Sequence, residues 1–213
     1  MRFLVLKRPA STESSALTDY VDTDGSKTGP APQCTLCGSI IGSLPLLPPI
    51  IVELECWGAS FGDIVFGSGN ELLLNEGLLN SFHASRLNGL IEIAPVDVVH
   101  VTVHRKLLGE LPRYRCCRIS QSRAIIDDAA SGLDRQLPWT CPECHSGGVI
   151  KSLKRIVLEP NSWSGEDVFY ARGLPGTVLV SERFEALFNR EQFSNCVLIP
   201  TEQFNFDYYP SRE

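Results

Sequence analysis

Apolar positions along this chain fall into short runs, separated by polar stretches rich in Gly, Pro, Ser and Asp. Met1 to Lys7 (MRFLVLK) reads as an opening or edge strand. Residues 9–33 lack a periodic pattern and read as one long loop. Ile50 to Leu54 and Glu71 to Leu74 read as strands, joined by a loop that carries Trp57. The spacing then changes. Leu78, Leu79 and Phe82 share one helical face, so a helix is expected from about Glu76 to Ser85, with Asn75 placed to cap its first turn. Leu90 to Ile93 closes this unit as a third strand. Val98 to His104 alternates and Tyr114 to Ile119 is apolar, so two further strands are expected there. Asp127 to Gln136 reads as a polar loop.

The first unit recurs later in the chain. Laid over residues 156–199, residues 50–93 match Glu53 with Glu159, Trp57 with Trp163, Gly67 with Gly173, Leu73 with Leu179, Glu76 with Glu182, Phe82 with Phe188 and Ile93 with Ile199. The second copy predicts a strand at Arg155 to Leu158 and another at Thr177 to Val180. A cap at Ser181, a helix from Glu182 to about Arg190 around Phe184, Leu187 and Phe188, and a strand at Cys196 to Ile199 complete it. An internal duplication follows from this match. The expected fold is α+β, mixed sheets with a few helices. The expected organisation is one compact unit over 1–213, with repeat 1 at about 34–98, a central insertion at 99–137 and repeat 2 at about 138–204.

With 213 residues the chain can bury a sizeable core. The formal net charge is −6, which disfavours a phosphate-rich partner, because Lys and Arg drive nucleic-acid binding. The longest apolar stretch, Ile40 to Val52, is broken by Pro45, Pro48 and Pro49, so it cannot span a bilayer. The opening apolar run, Phe3 to Leu6, is too short for a secretion signal. The expectation is therefore a cytoplasmic protein, in a compartment where thiols stay reduced.

That expectation changes how the cysteines read. Cys34-Thr-Leu-Cys37 and Cys141-Pro-Glu-Cys144 are two C-x-x-C pairs, and each can grip one metal ion from a tight turn. Together they make a four-sulfur shell for a structural Zn2+ that would staple the first third of the chain to the last. The rival reading is a set of ordinary buried thiols. Cys141 to His145 also spells C-x-x-C-H, a haem-attachment pattern, but Met1 is the only methionine and Gly38 stands where the first pair would need its histidine. A thioredoxin-like dithiol does not fit the surrounding element order.

The remaining candidates carry less chemistry. His100 and His104 on one strand would stand about 13 Å apart, too far for one metal. Adjacent Cys116 and Cys117 point to opposite faces of a strand, and Cys56 and Cys196 read as small core residues. Trp57 and Trp163 read as packing residues of each repeat. No phosphate loop, nucleophile elbow or carboxylate cluster with metal spacing is present, so no catalytic residues are assigned and a non-enzymatic role is expected.

The opening strand MRFLVL, the C-x-x-C-G at Cys34, the second C-x-x-C at Cys141 and the phrase Leu174-Pro-Gly-Thr-Val-Leu-Val-Ser-Glu-Arg-Phe-Glu-Ala-Leu187 together resemble the double-CXXCG family of myxobacteria. That family includes the Sit immunity proteins, which protect a cell from contact-delivered toxins. The resemblance covers essentially the whole chain. It implies an immunity protein that neutralises a cognate protein toxin by direct binding, with zinc on Cys34, Cys37, Cys141 and Cys144. One departure is His145, where the family pattern has Gly. Asp127, Asp128, Asp207, Tyr208 and Tyr209 are the expected partner-binding surface, because acidic loops and an aromatic C-terminus suit a basic partner. The alternative is a zinc-containing nucleic-acid-binding or regulatory module.

Overall fold

The computed structural model describes residues 2–10, 15–23, 25–67, 71–107 and 109–208. In chain order its elements begin with β1 (Phe3–Lys7), β2 (Thr18–Asp22), β3 (Lys27–Thr28), β4 (Leu46–Leu47), β5 (Ile50–Cys56), β6 (Ile64–Gly67) and β7 (Leu72–Asn75). Next come α1 (Glu76–Ala84), β8 (Leu90–Val103), β9 (Tyr114–Ile125), α2 (Asp128–Ser131) and β10 (Asp134–Arg135). The chain finishes with β11 (Ile150–Leu153), β12 (Val168–Arg172), β13 (Val178–Ser181), α3 (Glu182–Glu191), β14 (Val197–Pro200) and β15 (Phe206–Asp207). The class is mixed α and β, mostly sheet. Among the described residues, no helix is long and apolar enough to cross a membrane.

One ten-stranded sheet organises the molecule, in the order β14-β1-β13-β12-β9-β7-β6-β2-β5-β8. Its second half closes on itself. Tyr114 to Cys117 of β9 pairs with β7, and residues 115–119 of the same strand pair with the start of β8. The strands β9, β7, β6, β2, β5 and β8 therefore form a hydrogen-bonded ring, which removes free edges. Alternate residues of β5, namely Ile50, Val52 and Leu54, point inward and pack with Tyr20, Val65, Leu73 and Cys116.

The other half stays open and is covered on both faces. Leu4 and Leu6 of β1, Val168 of β12 and Val180 of β13 pack against Phe82 and Leu78 of α1 and against Phe184 and Leu187 of α3. Val5, Phe169 and Leu179 face the opposite way, toward Leu153, Ile156 and Leu174. A strand buried on both faces needs no polar alternation, which accounts for the continuous runs FLVL and VLV. The predicted caps form as expected. Asn75 accepts a hydrogen bond from the Leu78 amide at 2.7 Å, and Ser181 accepts one from Phe184 at 3.3 Å.

Five expectations need correction, one of them the stretch Asp127 to Gln136, which is not a plain loop but carries α2 and β10. The opening strand is present as β1 but is not an edge, because it lies between β13 and β14. Residues 9–33 are not one loop, because β2 pairs with both β5 and β6 inside the ring. Its sequence, TDYVD, hid it, since Tyr20 is its only large inward residue. Leu90 to Ile93 and Val98 to Val103 belong to one strand, β8, which stops one residue short of His104. Pro95 falls at the last rung with β9, where β8 leaves that strand for β5, so its missing N–H is tolerated. The strand expected at Arg155 to Leu158 is instead β11, earlier in the chain. Lys154 and Arg155 donate their amides to the Ser131 carbonyl, and Ile156 donates to that of Thr201.

The order strand–strand–helix–strand occurs twice, as β6-β7-α1-β8 and β12-β13-α3-β14. Both occurrences share the one large sheet rather than standing apart. Their matched tryptophans sit differently. Trp163 packs edge-on against Phe3 at 5.3 Å, whereas Trp57 is 42% exposed and stacks flat on His104 at 3.6 Å.

Candidate metal centre

Two turns bring the sulfurs together. The first lies in the Pro-rich loop between β3 and β4. Gly38 donates its amide to the Cys34 carbonyl at 2.9 Å, Cys34 donates to Ser39 at 2.8 Å, and Gln33 bridges to Ile40. Gly38 has φ +74°, a left-handed position that glycine adopts freely. The second turn lies in the loop between β10 and β11. His145 donates its amide to the Cys141 carbonyl at 3.0 Å and occupies the equivalent left-handed position with φ +52°.

The four thiols Cys34, Cys37, Cys141 and Cys144 converge, with all four sulfurs within 4.8 Å of one another. Cys34 Sγ lies 3.8 Å from Cys141 Sγ, and Cys37 Sγ lies 3.7 Å from Cys144 Sγ. These separations are far beyond a disulfide bond. They match the edge of a sulfur tetrahedron around a metal at about 2.3 Å, which is about 3.8 Å. The donor set is all sulfur and comes from two turns distant in sequence. The residues present therefore fit a closed four-thiolate site and could hold a metal ion.

The surroundings tune the thiols unequally. The hydroxyl and backbone amide of Ser39 lower the Cys37 thiol to about 6. Backbone amides of Cys144 and Glu143 pull Cys141 down, but burial and the neighbouring thiols Cys37 and Cys144 leave it raised to about 11. Burial pushes Cys116, Cys117 and Cys196 up to about 12, as expected for inert core thiols. Cys37 is also the exposed member of the cluster. In metal-free protein at pH 7, iodoacetamide should alkylate Cys37 first and leave Cys116, Cys117 and Cys196 untouched, as read by peptide mass spectrometry.

His145 keeps the turn and lies outside the four-thiol cluster. Its ring is 5% exposed, its Nε2 lies 3.0 Å from the Pro142 carbonyl, and it packs on Trp139 at 4.1 Å. His145→Gly should leave the metal stoichiometry unchanged. Any stability change should stay within about 1 kcal/mol, because relief of the left-handed strain offsets the lost ring contacts. Elemental analysis and a thermal melt check both points.

The second turn is fastened to the open half of the sheet. Gly173, just past β12, donates its amide to the Cys144 carbonyl at 3.1 Å, and Arg172 pairs with Glu143 at 2.9 Å. Neither contact has a sequence signature.

The residues expected to bind a partner are spread out, and two are engaged within the fold. Asp127 caps α2 by accepting from the Ala130 amide at 2.9 Å. Asp128 holds Arg135 through two hydrogen bonds of 2.7 and 2.8 Å. Asp207 lies in β15, Tyr208 is 68% exposed, and Tyr209 lies outside the described residues. The sequence reading missed a group of exposed apolar side chains on the two cysteine-bearing loops: Leu36, Ile40, Leu44, Leu137, Trp139 and Val149. Their signal in the sequence is apolar residues that interrupt polar loops. No family model and no curated protein sequence matches this chain.

Proposed function

We propose that this protein is a zinc-stapled binding protein that neutralises a cognate protein toxin by direct capture. The observation that carries the reading is the four-thiol cluster with tetrahedral spacing, contributed by two loops distant in sequence. A closed thiolate shell suits a structural metal, and bound zinc would lock the Pro-rich loop onto the β10–β11 loop. The toxin partner comes from the resemblance to the double-CXXCG immunity proteins. The exposed apolar side chains around the metal loops support capture there, because buried apolar anchors carry most interface energy. The net charge of −6 favours a basic partner and speeds its approach. The recurrence of strand–strand–helix–strand, with matched caps at Asn75 and Ser181, supports the view that the two halves arose by duplication.

Protein purified without chelator should carry about one zinc per chain, as elemental analysis will read. Co-expression with its cognate toxin should restore growth and yield a complex of fixed stoichiometry. Protection with no detectable complex would overturn capture as the mechanism.

A further inference from the structure

A cleft of about 600 Å³ lies at the end of the open half, where β1 and the turn between β12 and β13 meet β11 and the stretch around β15. That volume falls within the range of small-molecule sites. Its floor belongs to the core, since Val5 and Leu174 are 2% and 1% exposed. One wall is aromatic. The Phe206 ring stands edge-on to Phe204 at 6.2 Å and lies 4.9 Å from the ring of Tyr208. Pairing of Phe206 with Leu153, across β15 and β11, ties this wall to the fold. Val149 is exposed and adds further apolar surface.

Charge enters the cleft at one place. Lys7 is the only charged side chain among the described residues that line it. Lys7 follows Val5 by two positions on β1, so both side chains leave the strand on the same face, toward Phe204. Its ammonium stands 6.0 Å from the centre of the Phe204 ring, and among the described residues no carboxylate pairs with it. The register that sets Leu6 beside Val178 brings Thr177 next to Lys7, and the Thr177 hydroxyl is a second donor on the cleft.

These features select a ligand. A neutral apolar molecule would leave the ammonium without a counter-charge, and a cation would be repelled by it. A carboxylate beside Lys7 and Thr177 accepts charge-assisted hydrogen bonds, the stronger kind. The aromatic and aliphatic walls then cover whatever apolar body the carboxylate carries. The chain as a whole has net charge −6, so an anion is drawn here by the local cation and not by the overall field.

We infer that this cleft binds a medium-chain fatty acid, its carboxylate at Lys7 and Thr177 and its alkyl chain along Phe204, Phe206 and Tyr208. An alkyl chain suits this wall because it bends to follow rings set at different angles, 72° between Phe204 and Phe206 and 40° between Phe206 and Tyr208. The site rests on neither the metal nor the toxin reading, and each can fail without the others.

Isothermal titration calorimetry of the full-length protein with decanoate, kept below its micelle concentration, is the test. Saturable one-to-one heat is expected. Decanol and decylamine share the chain but lack the anion, and should bind about tenfold more weakly or worse. Lys7→Met should weaken decanoate by about tenfold or more, whereas Lys7→Arg should keep most of the affinity. Both changes fall on an exposed side chain, so the fold is retained. Val149→Asp sets a negative charge beside the alkyl chain and should weaken binding as well. No saturable heat from decanoate would overturn the proposal. Undiminished binding in Lys7→Met, or equal binding of decanol, would place the fatty acid on ordinary apolar surface and overturn it too.

Discussion

A serine in place of Cys141 should cost this protein about 4 kcal/mol of stability or more, since free energy of metal binding becomes free energy of folding. For a chain of 213 residues that lowers the melting midpoint by roughly 8–16 °C. Cys141 is buried, and its sulfur sits 3.8 Å from that of Cys34 on the other loop, so serine removes one ligand of the shell and a contact between the loops. Calorimetric melts of wild type and variant, before and after chelation, test the idea. The variant should melt like chelated wild type and respond no further to chelator. Cys196→Ala is the control. Cys196 lies in the core and outside the cluster, so the change should cost about 1–2 kcal/mol and leave the chelator response intact. Coincident melts for wild type and Cys141→Ser, both indifferent to chelator, would remove the metal from the account of stability.

Gly89→Ala should be nearly as damaging, for a reason unrelated to metal. Gly89 has φ +102°, and an added Cβ would overlap the carbonyl oxygen of Val168. The obstacle is backbone in the middle of the large sheet, so it cannot swing aside. Asn88 accepts the amides of Asp167 and Val168, and Ser120 donates to the Gly89 carbonyl at 2.8 Å, so this point joins the ring to the open half. A loss of about 3 kcal/mol or more is expected, or roughly 6–12 °C in the midpoint. Gly109→Ala is the matched comparison. Its φ is +98°, but no atom of the described residues outside its chain neighbours lies within 4 Å of the added Cβ, so only backbone strain of about 1 kcal/mol applies. Equal losses at the two positions would mean that close packing at Gly89 does not matter.

Elements whose apolar residues follow a single period were legible in the sequence. The helices α1 and α3 and the strands β5, β7, β13 and β14 lie within a residue or two of their expected bounds. So were the four cysteines, because two thiols at a fixed spacing make a local signal. What stayed hidden was set by distant partners. The strand β2 is polar by composition and is held in place by β5 and β6, not by its own pattern. The passage of β8 through Pro95 depends on which neighbour each segment meets. Asp127 and Asp128 look in sequence like any acidic loop residues, so that one caps a short helix and the other holds Arg135 is visible only in the fold.

The shared strand β9 has a consequence for how the molecule comes apart. Tyr114 to Cys117 contributes rungs to the ring, and Ser120 to Ile125 contributes rungs to β12 in the open half. Neither half owns the strand, so a cut in the chain between them leaves one piece with an unsatisfied row of peptide groups. The two halves should therefore lose structure in a single cooperative calorimetric transition, with no half-folded species in between. Exchange of one half for the equivalent piece of another protein would have to preserve the rungs on both sides of β9 at once.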